Sequence, residues 1–202
     1  MIDLKLNKQL LAGIDEIGIK ELNDAQQKLI PRILGGSSFY LSGKNCTEKE
    51  NALCIGLLQR LNYSMPDAPR TIIMVANSEQ AVYLHKLYTD FAKKTDLIIR
   101  IAHEDGHIDD QNITIYEGAD LVVATPKRLN KLYFQNSINI NKVQSFVLYD
   151  AELILKERFH VDLTRFTESL PKFQSIIYCT KVDDRLKKTC GKFTFGASDF
   201  EF

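Results

Sequence analysis

No stretch of this chain approaches the ~18 consecutive apolar residues that a membrane-spanning helix requires, so no membrane-embedded role is expected. The opening Met1-Ile2-Asp3-Leu4-Lys5 lacks the apolar run of a secretory leader, which points to a cytoplasmic protein. Cysteine is scarce. Cys46, Cys54, Cys179 and Cys190 form no C-x-x-C pair and have no metal-ligand spacing, which argues for reduced thiols rather than a disulfide framework. Excess charge is missing too: 26 basic residues balance 26 acidic ones. The molecule as a whole therefore exerts no pull on polyanions, and any nucleic-acid contact must come from a local patch. Repeats and low-complexity linkers are absent, so the 202 residues are expected to form one domain, 1–202.

What is present is an ordinary globular composition, with 45% hydrophobic and 26% charged residues. Short apolar runs rich in β-branched residues recur at Ser38 to Leu41, Thr71 to Val75, Leu97 to Ile101, Asp120 to Ala124, Ser145 to Tyr149 and Ser175 to Cys179. Continuous apolarity over so few residues suits strands covered on both faces. Helix-like segments lie between them. Asn23 with Gln26, and Asn77 with Gln80, have capping-box spacing, and Ser78 to Thr95 places Ala81, Leu84, Tyr88, Phe91 and Ala92 on one side. Such alternation predicts an α/β fold, a mostly parallel sheet with helices on both faces. In such sheets the working site lies beyond the carboxyl ends of the strands. Ser42 to Glu50, Ala76 to Ser78, Ala102 to His107, Thr125 to Arg128, Asp150 to Leu153 and Thr180-Lys181 are therefore the segments to watch.

Read in order, those segments resemble the first RecA-like (P-loop NTPase-type) domain of the DEAD-box RNA helicases, over about Leu10 to Thr189. Gly18-Ile19, Gln26 and Ile30-Pro31-Arg32-Ile33-Leu34-Gly35-Gly36 resemble the adenine-reading Q motif and the helix after it. Ala119 to Leu129, reading ADLVVATPKRL, is close to the family's ADIVVATPGRL and is the most specific match. The resemblance implies ATP and Mg2+ as cofactors and single-stranded RNA as a partner.

The chemistry-bearing motifs depart from the family. Its phosphate loop, A-x-T-G-x-G-K-T, aligns with Gly43-Lys44-Asn45-Cys46-Thr47-Glu48-Lys49-Glu50. Lys49 survives, but Cys46 and Glu48 replace the glycines that let backbone N–H groups approach phosphates. Glu50 replaces the hydroxyl that would hold magnesium. Lys49 is open to two readings, a phosphate contact or a helix-surface lysine. In the D-E-A-D segment the aligned residues are Tyr149-Asp150-Ala151-Glu152, so the magnesium-organising aspartate has become Tyr149. Asp150 and Glu152 are vestigial, and the S-A-T motif appears as Cys179-Thr180-Lys181. The family closes ATP between two RecA-like domains, and no second one is expected within these residues. Catalysis depends on accurate placement of metal and water, so a helicase-like domain without ATPase or unwinding activity of its own is expected. It would act as an RNA- or protein-binding module. The alternative is half of an ATP-dependent helicase completed by a second RecA-like chain.

Gln26 carries two readings as well, an adenine contact or the closing residue of a capping box with Asn23. For RNA, Thr125, Lys127 and Arg128 are the candidates, with a hydroxyl, a helix N-terminus and a guanidinium able to meet phosphate oxygens. Ser78 stands where the family has another RNA-contacting arginine, so the affinity is expected to be weak. His103-Glu104-Asp105-Gly106-His107 matches H-E-x-x-H, but zinc chemistry needs a helix and a third ligand. Its position after an apolar run and its Asp105-Gly106 favour a turn, so no metal site is expected. Lys192 to Phe202 carries four phenylalanines. Phe193 and Phe195 are expected to alternate in a strand and cover the core. Phe200 and Phe202 would either join the core, fray, or dock on a protein partner, making 192–202 a candidate interaction tail.

Overall fold

The computed structural model describes residues 4–156, 159–194 and 196–202. Two short helices lead in, α1 (Lys8–Glu16) and α2 (Asp24–Leu34). Strand β1 (Phe39–Ser42) is followed by α3 (Thr47–Leu61), β2 (Thr71–Met74) by α4 (Ser78–Ala92), and β3 (Ile99–Ala102) by α5 (Ile108–Glu117). Then come β4 (Leu121–Ala124), α6 (Pro126–Phe134), β5 (Ser145–Leu148), α7 (Ala151–Lys156) and α8 (His160–Glu168). β6 (Gln174–Tyr178), α9 (Asp184–Cys190) and β7 (Ser198–Glu201) complete the order.

The strands form one seven-stranded sheet in the order β3-β4-β2-β5-β6-β1-β7. Every pairing is parallel. Parallel neighbours need crossovers, which the helices provide, and the crossovers cover both faces. Strand alternation divides the core accordingly. Ile73, Val147 and Ile176 enter one cluster with α1 to α4, while Ile72, Phe146 and Ile177 enter the other with α6 to α9. The six expected strands are found, each displaced by two residues or fewer.

A buried ion pair fastens the amino edge. Arg70 meets Asp120 at 2.7 Å, and the Asp120 carboxylate also accepts from Ser64, Met65 and Ile98. The Arg70 guanidinium donates to the carbonyls of Leu61 and Tyr63. One pair thus fixes the entries of β2 and β4 and the loop after α3.

The tail takes the core alternative: β7 adds itself to the edge of its own sheet, with Phe39 opposite Ser198 and Ser42 opposite Glu201. The Phe200 ring packs edge-on against Phe39 at 6.4 Å under the Arg32 guanidinium, and Phe202 packs on the same core. Phe193 does cover the core, 6.1 Å from Phe146, but from a turn rather than a strand. Phe195 lies outside the described residues. Among the described residues no helix is long and apolar enough to cross a membrane.

Candidate functional site

The crossovers bring the loops after β1, β2, β5 and β6 together at the carboxyl edge. α3 starts there, at Cys46, with no side-chain cap. Lys49 occupies its first turn and is fully buried, so the surface-lysine reading fails. The helix tucks beneath the strand ends, and every residue from Ala52 to Leu58 is buried with it. The Lys49 ammonium donates to the carbonyls of Cys179 at 2.7 Å and Gly43 at 3.0 Å. It lies 3.9 Å from the centre of the Tyr178 ring. Burial lowers its affinity for the proton, partly offset by the electronegative groups around it.

Tyr149 also stacks on Tyr178, at 4.5 Å with an interplanar angle of 19°. The Tyr149 hydroxyl donates to Glu50 Oε1, and the Tyr83 hydroxyl donates to Glu50 Oε2 at 2.6 Å. Burial and the Glu50 bond push Tyr149 far above the usual phenol range and Tyr83 up to about 12. The place of a magnesium aspartate and a hydroxyl ligand is thus taken by a phenol bonded to a carboxylate.

Asp150 adopts φ +52° and spans the edge. It accepts from Asn45 Nδ2 at 2.9 Å and Gln80 Nε2 at 2.8 Å, while Gln80 Oε1 accepts from the Ala76 amide. Glu152 Oε1 accepts from the amides of Thr180 and Lys181. Both carboxylates therefore tie loops together. Gln26 closes the capping box in both directions with Asn23, and its Nε2 donates to Glu48 O at 2.9 Å. Both ends of its carboxamide are engaged within the chain.

These residues do not fit magnesium and a polyphosphate. The lysine is held by carbonyls, two glycines are replaced by residues carrying Cβ atoms, and Tyr149 offers no carboxylate. Asn77 and Gln80 form only half of the expected box: Asn77 Oδ1 accepts from the Gln80 amide, but the Gln80 side chain serves Ala76 and Asp150. Its long-range partner is invisible to local spacing, as are Asn45 and Tyr83.

The nucleic-acid candidates lie at the start of α6, away from this network. Thr125 is its buried N-cap residue, and its hydroxyl donates to Glu104 Oε2 at 2.5 Å. Arg128 is 8% exposed and donates to Gln111 Oε1 at 2.8 Å and to the carbonyls of Glu104 and Gly106. The two are brought together, but around the chain's own loop 103–107. Lys127 is exposed, its ammonium 5.5 Å from the Phe159 ring centre. His103 and His107 flank that loop on a turn, not on a helix face. Gly106 leaves room that the loop uses, since a Cβ there would fall 2.0 Å from Gln111 Nε2.

Comparison with known proteins agrees with this architecture. The model of the DEAD/DEAH box helicase family matches residues 23–181. The ATP-dependent RNA helicase me31b of Drosophila melanogaster is 27% identical over 172 residues, covering 85% of this chain and 37% of the relative. The ATP-dependent RNA helicase DeaD of Escherichia coli K12 is 24% identical over 193 residues, covering 95% of this chain and 30% of the relative. This chain therefore spans about a third of those proteins. Among solved structures, a DEAD box protein from Methanococcus jannaschii superposes with a TM-score of 0.88 at 19% identity, covering 98% of this chain and 55% of the other. Saccharomyces cerevisiae dbp5, bound to nup159, gle1, IP6 and ADP, gives 0.86 at 20% identity, covering 96% and 52%. The family match spans most of the chain and agrees with the sheet order and the Thr125 to Leu129 motif, so the chain belongs to the DEAD/DEAH box helicase family.

Proposed function

We propose that this domain has kept the DEAD-box scaffold and given up ATP turnover, so that it contributes by binding. The observation that carries the reading is Lys49. Its ammonium is committed to two carbonyls and an aromatic face, in a phosphate loop whose glycines are gone. Leaving those carbonyls would cost a ligand the desolvation and the bonds it replaced. Glu48 and Glu50 add repulsion toward phosphate.

Single-stranded RNA is the proposed ligand, because Thr125-Pro126-Lys127-Arg128-Leu129 keeps the family's backbone-gripping loop and the curated relatives are named RNA helicases. Its affinity is weak and salt-sensitive, since Lys127 alone of the three side chains is exposed. The test is titration with single-stranded RNA across a salt series, for wild type and Lys127→Ala. A steep salt slope that flattens in the variant supports the reading. Absence of binding at low salt removes it and leaves a protein partner in its place.

The competing reading is half of an ATP-dependent helicase, completed by a second RecA-like chain. It is favoured by one observation, the survival of Lys49 at the carboxyl edge, where Asp150 and Glu152 still supply carboxylates. It requires magnesium-dependent ATP binding that Lys49→Ala abolishes in a variant that still folds. It fails if millimolar ATP does not bind.

A further inference from the structure

α5 and α6 run back from the carboxyl edge, so their last turns lie at the opposite, amino edge of the sheet. There Ile113, Tyr116 and Phe134 are 56%, 89% and 63% exposed. None of the three is buried, so their apolar surface is left facing water. Beside them Ile113 and Tyr116 line a hollow of about 480 Å³ together with Asn112, Glu117, Asn136 and Ser137. A neighbouring hollow shares Asn136 and continues toward Tyr133 and Ile138.

The charge around this surface has one dominant sign. α5 carries Asp109, Asp110 and Glu117 and no lysine or arginine, and all three acids are exposed. Glu117 reaches Arg100 only at 4.0 Å and keeps 62% of its side chain exposed. Asp109 meets His107, also at 4.0 Å. Lys131 lies on the α6 side, one turn before Phe134, and so gives the surface a polarity from acidic α5 to α6.

We propose that this face docks a basic amphipathic segment of another protein. Its apolar anchors would sit between Tyr116 and Phe134, and its lysines or arginines would lie along Asp109, Asp110 and Glu117. Aromatic anchors rimmed by complementary charge are the usual energetic centre of such contacts, with the charges setting encounter rate and orientation. RNA is disfavoured as the occupant by the acids, although Asp109 and Asp110 lie in the first turn of α5, directly after the loop that meets Thr125 and Arg128. The apolar anchors and Glu117 lie further along the helix, so the peptide and RNA are told apart by competition.

The probe is a short fluorescent peptide of leucine and arginine at helical spacing, with a leucine and glutamate peptide of equal length as its counterpart. The arginine peptide should bind with an affinity that falls as salt rises, and the glutamate peptide should not bind. Tyr116→Ala and Phe134→Ala should each weaken binding by about tenfold or more, as truncation of an aromatic anchor does. Asp110→Lys with Glu117→Lys should reverse the preference between the peptides. All these positions are exposed, and circular dichroism checks that the variants fold. Equal binding of both peptides, or binding untouched by the aromatic substitutions, overturns the proposal. So does displacement of the arginine peptide by single-stranded RNA in wild type and Lys127→Ala alike, or self-association of the chain that Tyr116→Ala abolishes.

Discussion

Glu104 holds the hydroxyl of Thr125 at 2.5 Å, and its backbone carbonyl accepts from Arg128. One residue thus occupies both groups through which the family motif would grip a phosphate, and it places a carboxylate at the positive end of α6. Under the RNA reading, a phosphate would compete with the Glu104 carboxylate for the same hydroxyl. Glu104→Gln should therefore raise affinity for single-stranded RNA by about tenfold, the equivalent of roughly 1.4 kcal/mol, as a like charge beside the phosphate is removed. The salt slope should be unchanged or steeper. An affinity equal to that of wild type would mean that Thr125 and Arg128 serve only to anchor loop 103–107.

At the amino edge, Asp120 is fully buried and has four partners, Arg70 and the donors from Ser64, Met65 and Ile98. Removing one partner of a buried pair leaves the other charged and unpaired, which costs about 3–5 kcal/mol. Asp120→Ala should thus lower the urea midpoint severely. Asp120→Asn keeps the shape and some of the hydrogen bonds, so it should lose less. A loss under about 1 kcal/mol in Asp120→Ala would show that water reaches the guanidinium and replaces the pair.

The phenols give a prediction at high pH. Tyr40, Tyr83, Tyr88, Tyr149 and Tyr178 are all shifted upward, in each case chiefly by burial. A phenol with a raised pKa keeps its proton in the folded state after the unfolded chain has lost it. Stability is therefore intact below about pH 10 and falls as pH rises above it, through about 12 for Tyr83. Ultraviolet absorbance during a pH titration should show these tyrosines ionising late, and together with loss of helical circular dichroism. Early, independent ionisation of the buried group would contradict the packing around Glu50.

Much of this architecture is legible in the sequence, because continuous apolar runs such as Thr71 to Met74 can only be strands covered on both faces. Ser198-Asp199-Phe200-Glu201 is not legible in this way. It lies at the sheet edge with mostly exposed side chains, so its strand character resides in backbone pairing with β1 rather than in hydrophobicity. The site divides similarly. Motif positions such as Lys49, Thr125 and Arg128 can be found by order and spacing, and so can the local box between Asn23 and Gln26. The occupants of those positions are set by residues far away in the chain. Asp150 meets Gln80 across 70 positions, and Tyr149 meets Glu50 across 99, contacts that only the sheet order creates.

Lys49 separates a structural lysine from a phosphate ligand. Its ammonium is buried, has no carboxylate partner in hydrogen-bond range among the described residues, and is held by the carbonyls of Gly43 and Cys179 and by the Tyr178 ring. Burying a charge is costly even when it is well bonded. Lys49→Met keeps the volume and removes that cost but leaves the carbonyls of Gly43 and Cys179 without a donor, so in urea unfolding it should lose less stability than Lys49→Ala. Lys49→Ala leaves a void beneath Tyr178 as well as two orphaned carbonyls, and should lose about 2–4 kcal/mol. Under the non-hydrolysing reading, Lys49→Met should also leave RNA affinity unchanged. A folded Lys49→Met domain that loses magnesium-dependent ATP binding present in wild type would reverse the assignment, because only a phosphate ligand needs the charge.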